Sequence, residues 1–376
     1  MIVMRIYADH AATTQLDLDA FDEMKTFLLE EYGNASQPYS FSRSAKEALK
    51  SARVTIAKCI NAEPEEIYFT SGGTESDNWA IKSALFDGDV RCDIITSQIE
   101  HHAILHACHT VEQKGCHVEY VPVDTLGVIR LSDIKEHITD KVKLVSIMYA
   151  NNEIGTIQQI KELCSVAHSR GVLFHTDAVQ AVGHVPIDVK ELDVDMLSAS
   201  AHKFNGPKGI GFLYIKKETS ISPYIDGGAQ EFGMRAGTEN VASIAAMAVA
   251  LRNNCKKMEK NIPHLKKLET ILIRELHGYE LDFRCNGSDN RIPGNLSLSF
   301  RNAEGEMLLH RLDLMGICVS TGSACDSKNT KISHVLEAIS VPQEYVVGTI
   351  RISLGAENTE EEVKYIAKAI CKILKS

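Results

Sequence analysis

No apolar run in the 376 residues approaches the length of a membrane span, which argues against a chain threaded through a bilayer. The opening Met1-Ile2-Val3-Met4-Arg5-Ile6-Tyr7 gives way at once to Ala8-Asp9-His10. It is too short for an export signal, so the expected location is cytoplasmic. An excess of positive charge is also missing. Forty Lys and Arg stand against fifty Asp and Glu, a formal net charge of −10, which argues against a surface built on nucleic-acid phosphate contacts. The ten cysteines include no C-x-x-C pair and no regular spacing, a pattern expected of reduced, mostly buried thiols rather than a disulfide framework. There is no internal repeat and no low-complexity tract.

What is present is an ordinary globular composition, 44% hydrophobic and 24% charged, in a chain long enough for two domains or one large one. Short apolar runs predict strands at 67–70, 94–96, 118–121, 144–148, 172–175, 194–197 and 210–215. Helical patterns fall between most of them. Strands that alternate with helices and lack polar alternation predict an α/β fold with a mostly parallel sheet covered on both faces. A long helix over 242–276 reads as a connector, and beyond it strands at 295–300 and 349–354 with helices at 304–312 and 359–374 predict a smaller α+β unit. The expected division is a large domain over 16–258 and a small one formed by 259–376 together with residues 1–15.

In a parallel α/β sheet, ligands bind beyond the carboxyl ends of the strands, and the notable polar residues fall there. Lys203 sits in Ser198-Ala199-Ser200-Ala201-His202-Lys203-Phe204-Asn205-Gly206, at a strand end among small and hydroxyl residues. Such a lysine suits a Schiff base with pyridoxal phosphate, although a solvated loop lysine has the same local look. Gly72-Gly73-Thr74-Glu75-Ser76 joins a strand to a helix and could cradle a phosphate, or Thr74 could simply cap the helix. Asp177 ends a buried strand, where a carboxylate needs a cation or hydrogen bonds; a pyridinium nitrogen or a capped turn would serve. His102, His106 and His109 share a helical face and raise a metal reading, but no carboxylate ligand lies near, and a solvated histidine face explains them as well. His101, at the turn before them, is the separate candidate. Cys325, in Ser323-Ala324-Cys325-Asp326, has small polar neighbours that suggest an exposed nucleophile, while Asp326 opposes its ionisation. Arg351, in a strand that otherwise wants apolar partners, suggests bidentate capture of a carboxylate or a structural ion pair.

Taken in order, these stretches resemble the cysteine desulfurases of the NifS/IscS type, within the class V aminotransferases of pyridoxal-phosphate fold type I. The resemblance runs from Tyr7-Ala8-Asp9-His10-Ala11-Ala12-Thr13-Thr14 to the C-terminal helix. It implies a large domain around a mostly parallel, seven-stranded mixed sheet, and a homodimer with a shared active site. Lys203 matches the family's Schiff-base lysine. Gly73, Thr74, Ser200 and His202 match its phosphate site, and Thr238, in Arg235-Ala236-Gly237-Thr238, matches a residue that reaches the neighbouring protomer's phosphate. His101 matches the histidine stacked on the pyridine ring, Asp177 the partner of the ring nitrogen, and Gln180 that of the phenolic oxygen. Asn152, Arg351 and Asn34 match substrate-binding positions, and Cys325 matches the cysteine that receives sulfur. Around Asn34, the stretch Asn34-Ala35-Ser36-Gln37-Pro38-Tyr39 and Ser42 depart from the family pattern at the expected entrance to the site.

The resemblance implies removal of sulfur from L-cysteine to give L-alanine and a persulfide on Cys325, which an acceptor protein then takes. An iron–sulfur scaffold or a thiolation enzyme would fit that acceptor role. A selenocysteine lyase or another class V lyase or transaminase is the alternative enzyme, and a scaffold that has lost activity is the alternative outside catalysis. No metal, membrane or nucleic-acid partner is expected.

Overall fold

The fold is that of a computed structural model, which describes residues 5–85, 92–321 and 332–375. A short strand β1 (Ile6–Tyr7) leads to helices α1 (Leu18–Leu29) and α2 (Arg43–Cys59). Strand β2 (Ile67–Thr70), helix α3 (Gly73–Ser83), strand β3 (Asp93–Ser97), helix α4 (His102–Glu112) and strand β4 (Val118–Val121) then alternate. The alternation continues through α5 (Leu131–His137), β5 (Val142–Ser146), α6 (Ile160–His168), β6 (Leu173–Asp177), α7 (Val189–Leu192), β7 (Met196–Ser200) and β8 (Gly211–Ile215).

Strands β2 to β8 form one sheet in the order β2-β8-β7-β6-β5-β3-β4. The pairs among β7, β6, β5, β3 and β4 are parallel, and β8 runs antiparallel to both its neighbours. Strand β2 therefore points the same way as β7, so every strand except β8 delivers its carboxyl end to one edge. The strands are buried almost throughout, as a sheet covered on both faces requires. One face packs the largest apolar cluster, which includes Phe174, Phe204 and Phe212; the other packs Trp79, Ile81, Ile94 and Ile104.

Helix α8 (Val241–Gly278) joins this body to the remainder. Its first half buries Ile244 to Leu251 in the large cluster, and its second half, after Pro263, buries Leu265 to Leu276 in another. Beyond α8 come β9 (Phe283–Asn286), β10 (Asn295–Phe300), α9 (Gly305–Asp313), β11 (Ile317–Cys318), α10 (His334–Ala338), α11 (Gln343–Val346), β12 (Thr349–Ser353) and α12 (Glu360–Leu374). Strands β10 and β12 and helices α9 and α12 supply most of the second cluster's apolar side chains, while Val335, Leu336 and Val346 of α10 and α11 pack with Ile99, Met148 and Ile154. Strands β12, β10 and β9 form an antiparallel sheet, and β1 pairs in parallel with β11. Ile6 and Ala8 of the N-terminal arm are buried in this second cluster.

Strands β2, β4 and β10 have the bounds that the sequence predicts, and most other strands shift by one or two residues. The strands β1, β9 and β11 are too short or too weakly apolar to be read from pattern. One cysteine expectation is corrected. Cys92 and Cys116 form a disulfide, because pairing of β3 with β4 at Ile94 and Val118 brings their Cα atoms to 5.4 Å. Cys59, Cys108, Cys164, Cys255, Cys285, Cys318 and Cys371 are free. Among the described residues no helix is long and apolar enough to cross a membrane.

Trp79 is fully buried, and its indole N–H donates to the Ser222 carbonyl at 3.0 Å. Trp79→Ala removes that bond and the largest side chain in its cluster, so it should cost about 3–5 kcal/mol of stability, read from the denaturant midpoint.

Candidate functional site

The carboxyl ends of the sheet strands, the N-terminal arm and β12 enclose a cavity of about 300 Å³. Its wall includes Gly73, Thr74, His101, Asn152, Asp177, Gln180, Ser200, His202, Lys203 and Arg351. Ten residues spread over 279 positions of sequence, each a candidate by sequence, thus share one cavity. Asn34 and Thr238 do not line it. Both are exposed, and their loops meet where Ser36 Oγ approaches Glu239 Oε2 at 3.5 Å. Cys325 lies outside the described residues.

Lys203 is placed by a short turn, Ala201–Lys203, that follows β7 directly. Its Nζ donates to the carbonyls of Ala11 and Ala12 at 2.6 and 3.0 Å. Gln180 Nε2 donates to the same Ala11 carbonyl at 3.0 Å, so arm, lysine and glutamine form one network. Across the cavity, α3 begins at Gly73 after Gly72, whose φ of +146° favours glycine. A Cβ on Gly73 would lie 2.6 Å from Val179 Cγ2, so only glycine lets the helix N-terminus approach the turn after β6. Free N–H groups of that first turn, with Thr74, Ser200 and His202 nearby, make an anion-binding corner.

Asp177 ends β6, and its Oδ1 accepts the Val179 N–H at 2.9 Å. Burial raises its pKa to about 6, against the lowering effects of that hydrogen bond and of Lys203. A buried carboxylate so placed is best satisfied by a donor or cation arriving from the cavity. His101 caps α4, its Nδ1 accepting the Ala103 N–H at 3.1 Å. Burial, and then the Lys203 charge, lowers its pKa to about 4, so it is neutral at physiological pH. His202 is likewise lowered to about 4, first by burial and then by Lys203. Arg351 is 6% exposed and lies in β12; its Nη2 contacts Asp9 Oδ1 at 2.7 Å and its Nη1 donates to the Asn152 carbonyl at 2.9 Å. Its Nε has no hydrogen-bond partner among the described residues. The arginine is therefore in an ion pair here and still holds an unused donor.

Sequence pattern missed Asp9, Asp77 and the carbonyls of Ala11 and Ala12. Asp77 lines the cavity, is 1% exposed, and among the described residues its Oδ1 accepts no hydrogen bond, with His175 Nε2 at 3.9 Å. Its position four residues after Gly73 on one helical face was the available signal. His102, His106 and His334 stack at 5.2 Å spacings beside His101, but no group of three metal-ligating side chains occurs among the described residues.

Glu100, fully buried, accepts Ser97 Oγ at 2.6 Å and the Met148 N–H at 3.0 Å through Oε1, while Oε2 has no partner. Burial raises its pKa to about 8. The folded protein thus binds a proton there that the unfolded chain releases near pH 4.5, so this group's contribution to stability falls as pH rises. Wild type should lose stability relative to Glu100→Gln between about pH 4.5 and 8 and run parallel to it above, as read from denaturant midpoints over pH.

With this geometry, the comparisons with known proteins are consistent. The family model for aminotransferase class V matches residues 6–366. A protein of Dictyoglomus turgidum named cysteine desulfurase IscS is 48% identical over 371 residues, covering 98% of this chain and 94% of that one. A solved structure described as a NifS-like protein superposes with a TM-score of 0.92 at 38% identity, covering 99% of this chain and all of that one. A second, of SspA in complex with cysteine, gives 0.83 at 32% identity, covering 94% of this chain and all of that one. By the extent of these matches, and with its candidate residues gathered at one strand edge, the chain belongs to the class V aminotransferase family.

Proposed function

We propose that this chain is a pyridoxal-phosphate-dependent cysteine desulfurase, which takes sulfur from L-cysteine and leaves L-alanine. The observation that carries the reading is the convergence of Lys203, Asp177, Arg351 and the Gly73 corner on one cavity. The residues present fit the cofactor. A glycine-lined helix N-terminus suits its phosphate, and a buried carboxylate of raised pKa suits its ring nitrogen. When bound, pyridoxal phosphate supplies an electron sink next to the substrate's α-carbon.

The chain's own residues do the rest. Lys203 would hold the cofactor covalently, and its amine would serve as the base at the substrate α-carbon. Asp177 keeps a proton on the ring nitrogen, and Gln180 donates to the phenolic oxygen. Thr74, Ser200 and His202 bind the phosphate. Arg351 exchanges Asp9 for the substrate carboxylate and gains a use for its unpaired Nε. Asn152 holds the substrate beside it. Neutral His101 can take the proton of the substrate thiol. The Cys325 thiolate forms a bond to the substrate sulfur as the carbon–sulfur bond breaks; the carbon keeps the electron pair and is protonated, giving alanine and a persulfide. Ser320 exchanges backbone hydrogen bonds with Arg351 and lines the same cavity.

The working unit is read as a homodimer. Leu18, Phe21, Leu28, Leu29, Tyr32 and Phe41 are exposed on and after α1, a concentration of apolar side chains that a partner subunit would cover. Thr238 and Asn34, both outside their own cavity, would then serve the neighbour's. The domain division at about residues 15 and 258 follows the two apolar clusters that α8 links. A sulfur-accepting iron–sulfur scaffold or thiolation enzyme receives the persulfide, and the cytoplasm is the expected compartment.

Mass spectrometry after cysteine treatment tests the reading. One added sulfur on the Cys325 peptide is expected, and Cys325→Ala should abolish alanine formation. Undiminished turnover in that variant would point to a lyase instead. Arg351→Ala should raise KM for cysteine about 10- to 100-fold, the loss of a charge-assisted hydrogen bond of about 1.5–3 kcal/mol.

A further inference from the structure

The turn that carries Lys203 presents four successive carbonyls that no helix uses, and each meets a donor from elsewhere in the chain. The His202 carbonyl accepts the Thr14 N–H and hydroxyl, both at 2.9 Å. The Lys203 carbonyl accepts His184 Nε2–H at 2.7 Å. The Phe204 carbonyl accepts Asn254 Nδ2 at 2.8 Å, and the Asn205 carbonyl accepts the Asp17 N–H at 2.9 Å. The donors come from the N-terminal arm, from the turn after β6 and from α8. Two are side chains, His184 and Asn254, and the Asn254 Nδ2 also donates to the Ala250 carbonyl at 3.0 Å.

His184 reaches Lys203 because of the residue before it. Gly183 has a φ of +81°, and a Cβ there would stand 2.7 Å from Phe204 Cβ. Only glycine lets this turn pack against Phe204 closely enough for the imidazole to reach the next carbonyl back. His184 also lines a second cavity, of about 160 Å³, together with the titratable side chains His10, Asp17, Lys257 and Glu357. Burial, with His10 and Lys203 nearby, lowers the His184 pKa, so the ring is neutral. A carbonyl oxygen can only accept, which places the ring proton on Nε2.

We propose that His184, assisted by Asn254, is a positioning residue that holds the Lys203 main chain still from behind while its side chain exchanges partners in front. This rests on the reading of Lys203 as the cofactor's attachment point. At the front, Nζ is held by two carbonyls of the arm and must leave them to react. At the back, the main chain is tied by donors outside the cavity that need not change during that exchange. Loss of the His184 donor removes a short hydrogen bond from the Lys203 carbonyl and lets the Cα of Lys203 drift, and small displacements of a reacting group are costly in rate.

The test uses the full-length protein loaded with pyridoxal phosphate. Borohydride reduction and peptide mass spectrometry first establish whether wild type is trapped at Lys203; absence of that label overturns the attachment reading itself. With the label present, His184→Ala is expected to bind the cofactor, to lower kcat about tenfold while KM for cysteine changes less than about twofold, and to shift the pH midpoint of the bound cofactor's absorbance by about half a unit. His184→Gln, whose Nε2 can reach the same carbonyl, is expected to restore both. An unchanged midpoint and kcat in folded, labelled His184→Ala, or a loss that Gln does not repair, overturns the inference. If His184→Ala does not fold, Asn254→Ala decides by the same two readouts, a smaller shift in the same direction supporting the proposal and none overturning it.

Discussion

Lys203 Nζ rests on the carbonyls of Ala11 and Ala12, and the site depends on that contact. An amine set into a partly buried cavity needs acceptors, and here the N-terminal arm brings them. The arm is itself pinned elsewhere. Ile6 and Ala8 lie in the apolar cluster of β10, β12, α9 and α12, β1 pairs with β11, and the Ala11 N–H donates to Ser353 Oγ at 2.9 Å. The lysine of one body is therefore held by a strap anchored in the other. Arg351 makes the converse link, reaching from β12 to Asp9 on the arm and to Asn152 on the loop after β5.

Burial organises the charges around this contact. It raises Glu100 to about 8, Glu153 to about 7 and Asp177 to about 6, and lifts Asp77 as well. It lowers His101 and His202 to about 4 and His175 to about 3. Acids and histidines on the cavity wall are thus driven toward neutrality. Of these four acids, Asp77 and Asp177 line the cavity, and Asp177 is the one raised only to about 6. A cationic ligand would most readily charge it.

Helix α8 couples the two apolar clusters without mixing them. Its first half packs on the sheet body and its second on the smaller cluster, with Pro263 between. The cavity sits where these bodies and the arm meet, so its shape follows from their packing rather than from any one element.

Much of the sheet was legible because its strands are buried on both faces and read as plain apolar runs between Gly-rich turns. β3, β6 and β7 are examples. The candidate residues were legible because a parallel sheet puts strand ends at one edge, so Asp177, Lys203 and His101 stand out as polar groups closing apolar runs. β1 and β11 were not, since two-residue strands carry no periodicity, and Cys92 and Cys116 meet only because β3 and β4 pair. Asp9 and His184 were invisible for a similar reason. Their partners, Arg351 and the Lys203 carbonyl, lie 342 and 19 residues away, and nothing local marks the pairing. The sequence by itself determined which side chains carry chemistry and at which strand ends they stand. Only the tertiary structure decided what holds them, because a hydrogen bond between distant segments depends on packing that no local pattern records.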